Sequence, residues 1–206
     1  DRTSGQGTLT AGNSTPLTDG ASAALLASED WARARGLEVQ AYLRDAQVAA
    51  VDFVHGEGLL MAPCWAVAQL LKRNSLTLQD FDFYEIHEAF AAQVLCTLQA
   101  WQSADFCLDR LGLVAALGAI DRTKLNVKGS SLAVGHPFAA TGTRILATLA
   151  KLIDAISRLG GAQRPTRRPP NLANRRGQLG DGEERERERI VAAVESQRLA
   201  RHRIAV

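Results

Sequence analysis

Two histidines in this chain stand where reacting groups are commonly held. His87 and His136 each follow a stretch that reads as a strand ending and precede a stretch that reads as a helix. The unpaired amides of a helix start carry partial positive charge, so an imidazole beside them tends to stay neutral. A neutral imidazole can donate one N–H to a developing oxyanion or take a proton from a nucleophile. In open α/β sheets, ligands gather at the carboxyl ends of strands, which is where both histidines fall. The alternative for His136 is a residue that only caps a turn. The other candidates are weaker. Cys64, Cys96 and Cys107 are three, without metal-ligand spacing, so neither a disulfide framework nor a zinc site is expected. Cys96, among Val94, Leu95 and Leu98, reads as a small buried hydrophobe, and nothing around Cys107 would lower its thiol pKa. His55, between Val54 and Gly56, reads as structural or solvated.

The elements that must position this pair follow from the surrounding pattern. In NVKGSSLAVGHPFAATGTR, residues 126–144, Asn126 and Val127 suit a strand end. Gly129 and Gly135 permit unusual backbone angles, and Pro137 fixes φ where a helix begins. From Ala139 on, Ile145, Leu146, Leu149, Leu152 and Ile153 recur at three- and four-residue spacing, an amphipathic helix. Residues 82–86 read as a short parallel strand feeding a helix that starts near Glu88. Upstream, residues 5–20 are rich in Gly, Thr, Ser and Asn and read as an exposed loop, the kind that often carries ligands. Residues 21–28 read as a strand or a buried helix, 31–35 as a helix ending at Gly36, and 37–51 as a strand with Val39, Ala41 and Leu43 on one face. Pro63 opens a helix through Arg73 whose buried side is Trp65, Val67, Ala68, Leu70 and Leu71, and residues 105–118 read as a helix plus turn.

Three blocks carry a family resemblance. VGHPFAATGTRI resembles the GHP-x-GA-(S/T)-G-x-R block of the thiolase family, whose members make or cleave 3-ketoacyl-CoA thioesters. YEIHEAFAAQ, residues 84–93, is similar to the family's (N/H)EAFA block in its histidine form, associated with subunits of fatty-acid oxidation complexes. GTLTAGNSTPLTDGASAALL, residues 7–26, is similar to the block that closes the family's first catalytic half. The resemblance implies an α/β, thiolase-like fold, mostly its C-terminal βαβ half and incomplete. Residues 1–36 would end the N-terminal half, 37–155 would be the C-terminal domain, and 156–206 an atypical Arg-rich tail, disordered or helical. It implies thiolytic cleavage of 3-ketoacyl-CoA to acetyl-CoA and a shortened acyl-CoA, or the reverse condensation, in fatty-acid metabolism. His136 and His87 would be the catalytic donors to a thioester oxygen, directly or through a water. Thr15, Ser14, Phe90 and Gly135 would contact substrate or CoA, although Phe90 reads equally well as a core aromatic and Thr15 as part of a polar turn. Coenzyme A enters as a thioester substrate, with no permanently bound cofactor. Expected partners are acyl-CoA and CoA, and a second copy of the chain or a fatty-acid oxidation complex.

Two cysteines carry the family's chemistry, a nucleophile in its first half and a proton-transferring one in a C-x-GGG-type block near the C-terminus. Neither block occurs here, so the chain is expected to be a fragment, inactive alone, with the nucleophile upstream of Asp1. Where the second block should follow, the composition changes. Through Ala155 there are 12 Lys and Arg against 16 Asp and Glu, a balance of −4. From Ile156 there are 12 Arg against six acidic residues, a balance of +6, which together make +2. Pro165, Pro169, Pro170 and the arginines argue against a buried parallel strand and for a linker, followed by a charged helix over residues 183–205. A shifted reading frame after Asp154 would explain the change. A sheet lacking its last strands would expose apolar surface and favour association, hence poor solubility. A non-catalytic thiolase-fold interaction subunit is the alternative. Nucleic-acid binding through the tail is disfavoured, since acids interrupt its arginines and it lacks aromatics for stacking. Ten residues, 111–120, make the longest apolar run, too short for a membrane span, and the polar opening DRTSGQGT is unlike a signal peptide. A cytoplasmic, reducing setting is expected.

Overall fold

The computed structural model describes residues 3–159 and 193–194. Among the described residues, six α-helices, α1 (Glu29–Ala34), α2 (Ala62–Asn74), α3 (Ala91–Gln102), α4 (Ala104–Asp109), α5 (Ser131–Val134) and α6 (Thr141–Leu159), accompany two short strands, β1 (Glu85–Ile86) and β2 (Ala193–Val194). The strands pair in parallel, Glu85 opposite Ala193 and Ile86 opposite Val194. Among the described residues no helix is long and apolar enough to cross a membrane.

The helices form where capping and periodicity agree. Ser28 accepts a hydrogen bond from the Trp31 amide to start α1, which closes before Gly36 at φ 64°. Pro63 occupies the first turn of α2, and the left-handed Ser75 closes it. Its inner face, Cys64, Val67 and Leu71, meets Val94, Leu98 and Trp101 of α3 in one core, joined by Leu78, Phe81, Tyr84, Ile86 and Ile120. The Tyr84 hydroxyl donates to the Leu78 carbonyl inside that core, so its polar end is satisfied. On α6 the apolar stripe buries Ile145, Leu149 and Ile153, and the helix packs on β1.

Several expected strands are absent or shorter. Residues 37–51 form no strand; they run along the end of α2, held by Asp45. That carboxylate takes 2.9 and 2.8 Å hydrogen bonds from Arg73 and one of 2.6 Å from Asn74. The bonds from Arg73, and after them the one from Asn74, hold the Asp45 carboxyl down at about 2. Residues 21–28 are exposed and irregular, neither strand nor buried helix. The strand expected over residues 82–86 is reduced to β1, although Tyr84 adds a parallel bridge to Leu125. α3 starts at Ala91 rather than near Glu88, and residues 105–118 keep only α4, which begins a residue earlier. Cys96 is exposed, not buried, because it lies on the outer face of α3 beside Leu95. Residues 160–192 and 195–206 lie outside the described residues, and with them most of the expected linker and charged helix. Ala193–Val194 corrects that expectation: it is a strand, and a parallel one, in a dipeptide free of Pro and Arg and containing β-favouring Val.

Candidate active site

Tyr84 begins the framework that places His87. Its amide donates to the Lys124 carbonyl at 3.0 Å, and its carbonyl accepts from the Asn126 amide at 2.9 Å. Asn126 then leaves the ladder at φ 47°, a left-handed turn and not the strand end read from sequence. Its side chain continues the pairing. The Ile86 amide donates to Asn126 Oδ1 at 2.8 Å, and Asn126 Nδ2 donates to the Ile86 carbonyl at 3.0 Å and to Glu88 Oε1 at 2.7 Å. Both backbone groups of the residue before His87 are therefore clamped by one amide side chain. Glu88 Oε2 takes the Leu132 amide at 3.2 Å, tying the clamp to α5.

His136 follows α5 and not a strand. α5 ends at Gly135, whose φ of 89° turns the chain; a Cβ built there would lie 2.4 Å from Thr18 Cγ2. The His136 amide donates to the Pro16 carbonyl at 3.0 Å, and the Thr15 amide donates to the Ala89 carbonyl at 2.9 Å. Thr15 Oγ1 donates to the Ser131 carbonyl at 2.7 Å. The 14–16 segment is thus a strap that bonds the loop after His87 on one side and the loop of His136 on the other. Ser14 adds an antiparallel bridge to Phe90.

These supports bring the two imidazoles together, with ring centroids 4.2 Å apart and planes tilted by 44°. His87 is buried; its Nδ1 lies 2.7 Å from Ser131 Oγ, and its Nε2 meets no hydrogen-bond partner among the described residues. His136 is half-buried, with Nδ1 2.7 Å from Thr141 Oγ1 in the first turn of α6. Burial, together with the neighbouring His136 and the Arg144 cation, pushes the His87 pKa down to about 4. Burial and Arg144 also lower that of His136. Both rings are therefore neutral at physiological pH, available as donors or as a base.

Of the other residues singled out from sequence, Thr15 spends its hydroxyl hydrogen on Ser131, Gly135 shapes the turn before His136, and Phe90 is half-buried at the start of α3. The aromatic ring set against an imidazole is Phe138, 4.9 Å from His136 and 72% exposed. Sequence reading missed the supporting residues Asn126, Glu88, Ser131, Thr141 and Arg144. Two of them carried a local signal, since Glu88 follows His87 directly and Arg144 closes the TGTR string. It also missed Glu85, whose buried carboxylate finds no hydrogen-bond partner among the described residues, so that burial raises its pKa to about 7.

None of the cysteines hydrogen-bonds either imidazole among the described residues. Cys64 is buried in the core, its thiol pushed up to about 12 by that burial, and Cys107 Sγ lies against the Ala100 and Trp101 carbonyls. No group of three or more His, Cys, Asp or Glu side chains is arranged to hold a metal among the described residues. A surface cleft lined by Leu95, Leu98, Gln102 and Ile120 shares no residue with the histidine pair.

Known proteins resemble this chain in both sequence and fold. Residues 37–162 match the family described as thiolase, C-terminal domain. The 3-ketoacyl-CoA thiolase of Shewanella loihica is 47% identical over 155 residues, covering 75% of this chain and 34% of the relative. The chain thus spans about a third of the length of the curated relatives it matches. Among solved structures, a thiolase from Ascaris suum in complex with coenzyme A superposes with a TM-score of 0.53 at 28% identity, over 72% of this chain and 34% of its own. The dimeric peroxisomal thiolase of Saccharomyces cerevisiae does so with a TM-score of 0.53 at 32% identity, over 71% and 32%. Sequence blocks, a partial thiolase-like α/β fold and these matches converge: the chain belongs to the thiolase family.

Proposed function

We propose that this chain supplies the thioester-binding part of a thiolase-type acyltransferase acting on 3-ketoacyl-CoA in fatty-acid metabolism. The observation that carries the reading is the pair of neutral imidazoles, delivered by separate elements to within 4.2 Å of each other. In thiolytic cleavage the bond between the α- and β-carbons breaks, the acyl group passes to a thiolate sulfur, and the electron pair settles on the remaining thioester as an enolate. N–H groups of His87 and His136 would face that oxygen, where one such donor is commonly worth about 10²- to 10³-fold in rate. His136, the more accessible of the two, would also take the proton of the attacking thiol. The thiolate itself must come from outside this set of residues, since covalent acyl transfer requires one and no cysteine here reaches the pair. Alone, the chain should therefore bind thioester and turn over none.

Thr15, Ser14, Phe90 and Gly135 stay assigned to the acyl-CoA side of the site, with Thr15 acting through the strap it forms. The domain division at residues 36 and 155 is retained, and assembly with a second copy is supported by the dimeric yeast relative. The test is titration of the ¹⁵N-histidine-labelled chain with a 3-ketoacyl-CoA and, separately, with free CoA. The thioester should shift both the His87 and His136 resonances and free CoA, lacking the thioester carbonyl, neither. Imidazole signals that ignore the thioester, or thiolysis by the chain alone, would overturn this reading.

A further inference from the structure

Each imidazole rests its Nδ1 on a hydroxyl, yet the two hydroxyls differ in what else they can do. Ser131 is fully buried, and its Oγ lies 3.0 Å from Arg144 Nη2. A guanidinium only donates, so one lone pair of Ser131 Oγ is occupied and its single hydrogen must go elsewhere. The acceptor in reach is His87 Nδ1, at 2.7 Å. If Nδ1 held the proton instead, Ser131 would carry a buried hydroxyl hydrogen with nothing to receive it, a state that costs far more than it returns. Thr141 is not constrained in this way. Its hydroxyl can turn to His136 Nδ1 at 2.7 Å or to the Pro137 carbonyl at 3.4 Å, so His136 keeps access to both neutral forms.

The geometry points to Ser131 and Arg144 as positioning residues that lock His87 in its Nε2–H tautomer, making it a dedicated donor, while Thr141 leaves His136 free to exchange its proton. The locked hydrogen sits on the one ring nitrogen of His87 that has no partner among the described residues. A donor held that way is ready for an incoming oxygen without reorganising. The freely exchanging partner suits a group that must accept a proton and return it. The division of labour between the rings rests on the acyltransferase reading above; the tautomer itself does not, because it is set by hydrogen bonds within this chain.

Long-range ¹H–¹⁵N spectra of the full chain at neutral pH read the tautomer directly, without substrate. His87 should show a pyridine-type Nδ1 and a pyrrole-type Nε2, in a ratio of roughly tenfold or more. Ser131→Ala should bring that ratio down toward that of a free imidazole while leaving His136 unchanged. Arg144→Met, which frees a lone pair on Ser131, should lower it less, and decides the matter if the alanine variant does not fold. A pyrrole-type Nδ1 on His87 in the unaltered chain, or a ratio that neither variant moves, overturns the proposal. Loss of thioester binding with the Nε2–H signature intact would count against the acyltransferase reading alone.

Discussion

Replacing Glu85 by Gln should expose a cancellation built into the pH dependence of stability. Glu85 is 1% exposed and raised from 4.5 to about 7; His87 is 5% exposed and lowered from 6.5 to about 4. Between pH 4.5 and 6.5 the folded chain holds a proton on Glu85 that the unfolded chain has shed. The unfolded chain, in turn, holds one on His87 that the folded chain refuses. The two contributions to the slope are opposite in sign and nearly equal, each worth roughly 3 kcal/mol over its full range. The Glu85 contribution favours folding below pH 4.5 and is lost as pH rises through 7. The His87 contribution favours folding above pH 6.5 and is lost as pH falls through 4. The depressed pKa of His136 acts in the same direction as that of His87.

Glu85→Gln removes only the first contribution. Urea unfolding at fixed ionic strength should show the variant's stability climbing with pH about 1.4 kcal/mol per unit more steeply than the parent's from pH 4.5 to 6.5. The difference between variant and parent should grow by roughly 3 kcal/mol from pH 4.5 to 8. Any cost of burying the new amide donors shifts the whole difference without changing its slope. A difference independent of pH would refute the reasoning, since it would mean that Glu85 titrates alike in both states.

Two further substitutions test the framework of the site. Asn126→Ala removes three hydrogen bonds, to both backbone groups of Ile86 and to Glu88, and should destabilise the chain by roughly 2–4 kcal/mol. Asp in its place keeps an acceptor for the Ile86 amide but turns a second oxygen toward the Ile86 carbonyl and Glu88 Oε1, so it should recover little of the loss, and both are read by denaturant midpoint. Gly135→Ala forces a side chain into a positive-φ turn and against Thr18, costing about 1–3 kcal/mol. It should also alter the His136 ring signals even where the rest of the spectrum is unchanged.

Local pattern was sufficient wherever one element answers to its own residues. The spacing of Ile145, Leu149 and Ile153 marked the buried face of α6, and Pro63 marked the start of α2. Two of the three family blocks singled out His87 and His136, because a string of residue types can be read without knowing what it touches. The strand over residues 37–51 could not be judged that way. Alternation there reported a face but not whether a neighbouring backbone lay within pairing distance, and in the fold the segment is held through Asp45 on Arg73 and Asn74. The same limit explains Cys96, whose apolar neighbours in sequence lie partly on the outer face of α3.

What the amino-acid order offered by itself was a pair of imidazoles, expected to stay neutral beside helix starts; their burial came only with the fold. What tertiary structure alone decided was their separation and their supports: the Asn126 clamp, the 14–16 strap, and Arg144 reaching back to Ser131. The reason is that a hydrogen bond joins atoms and not sequence positions. Its energy depends on angles and ångströms that only the folded chain sets, and no spacing along the chain encodes which hydroxyl a histidine will meet.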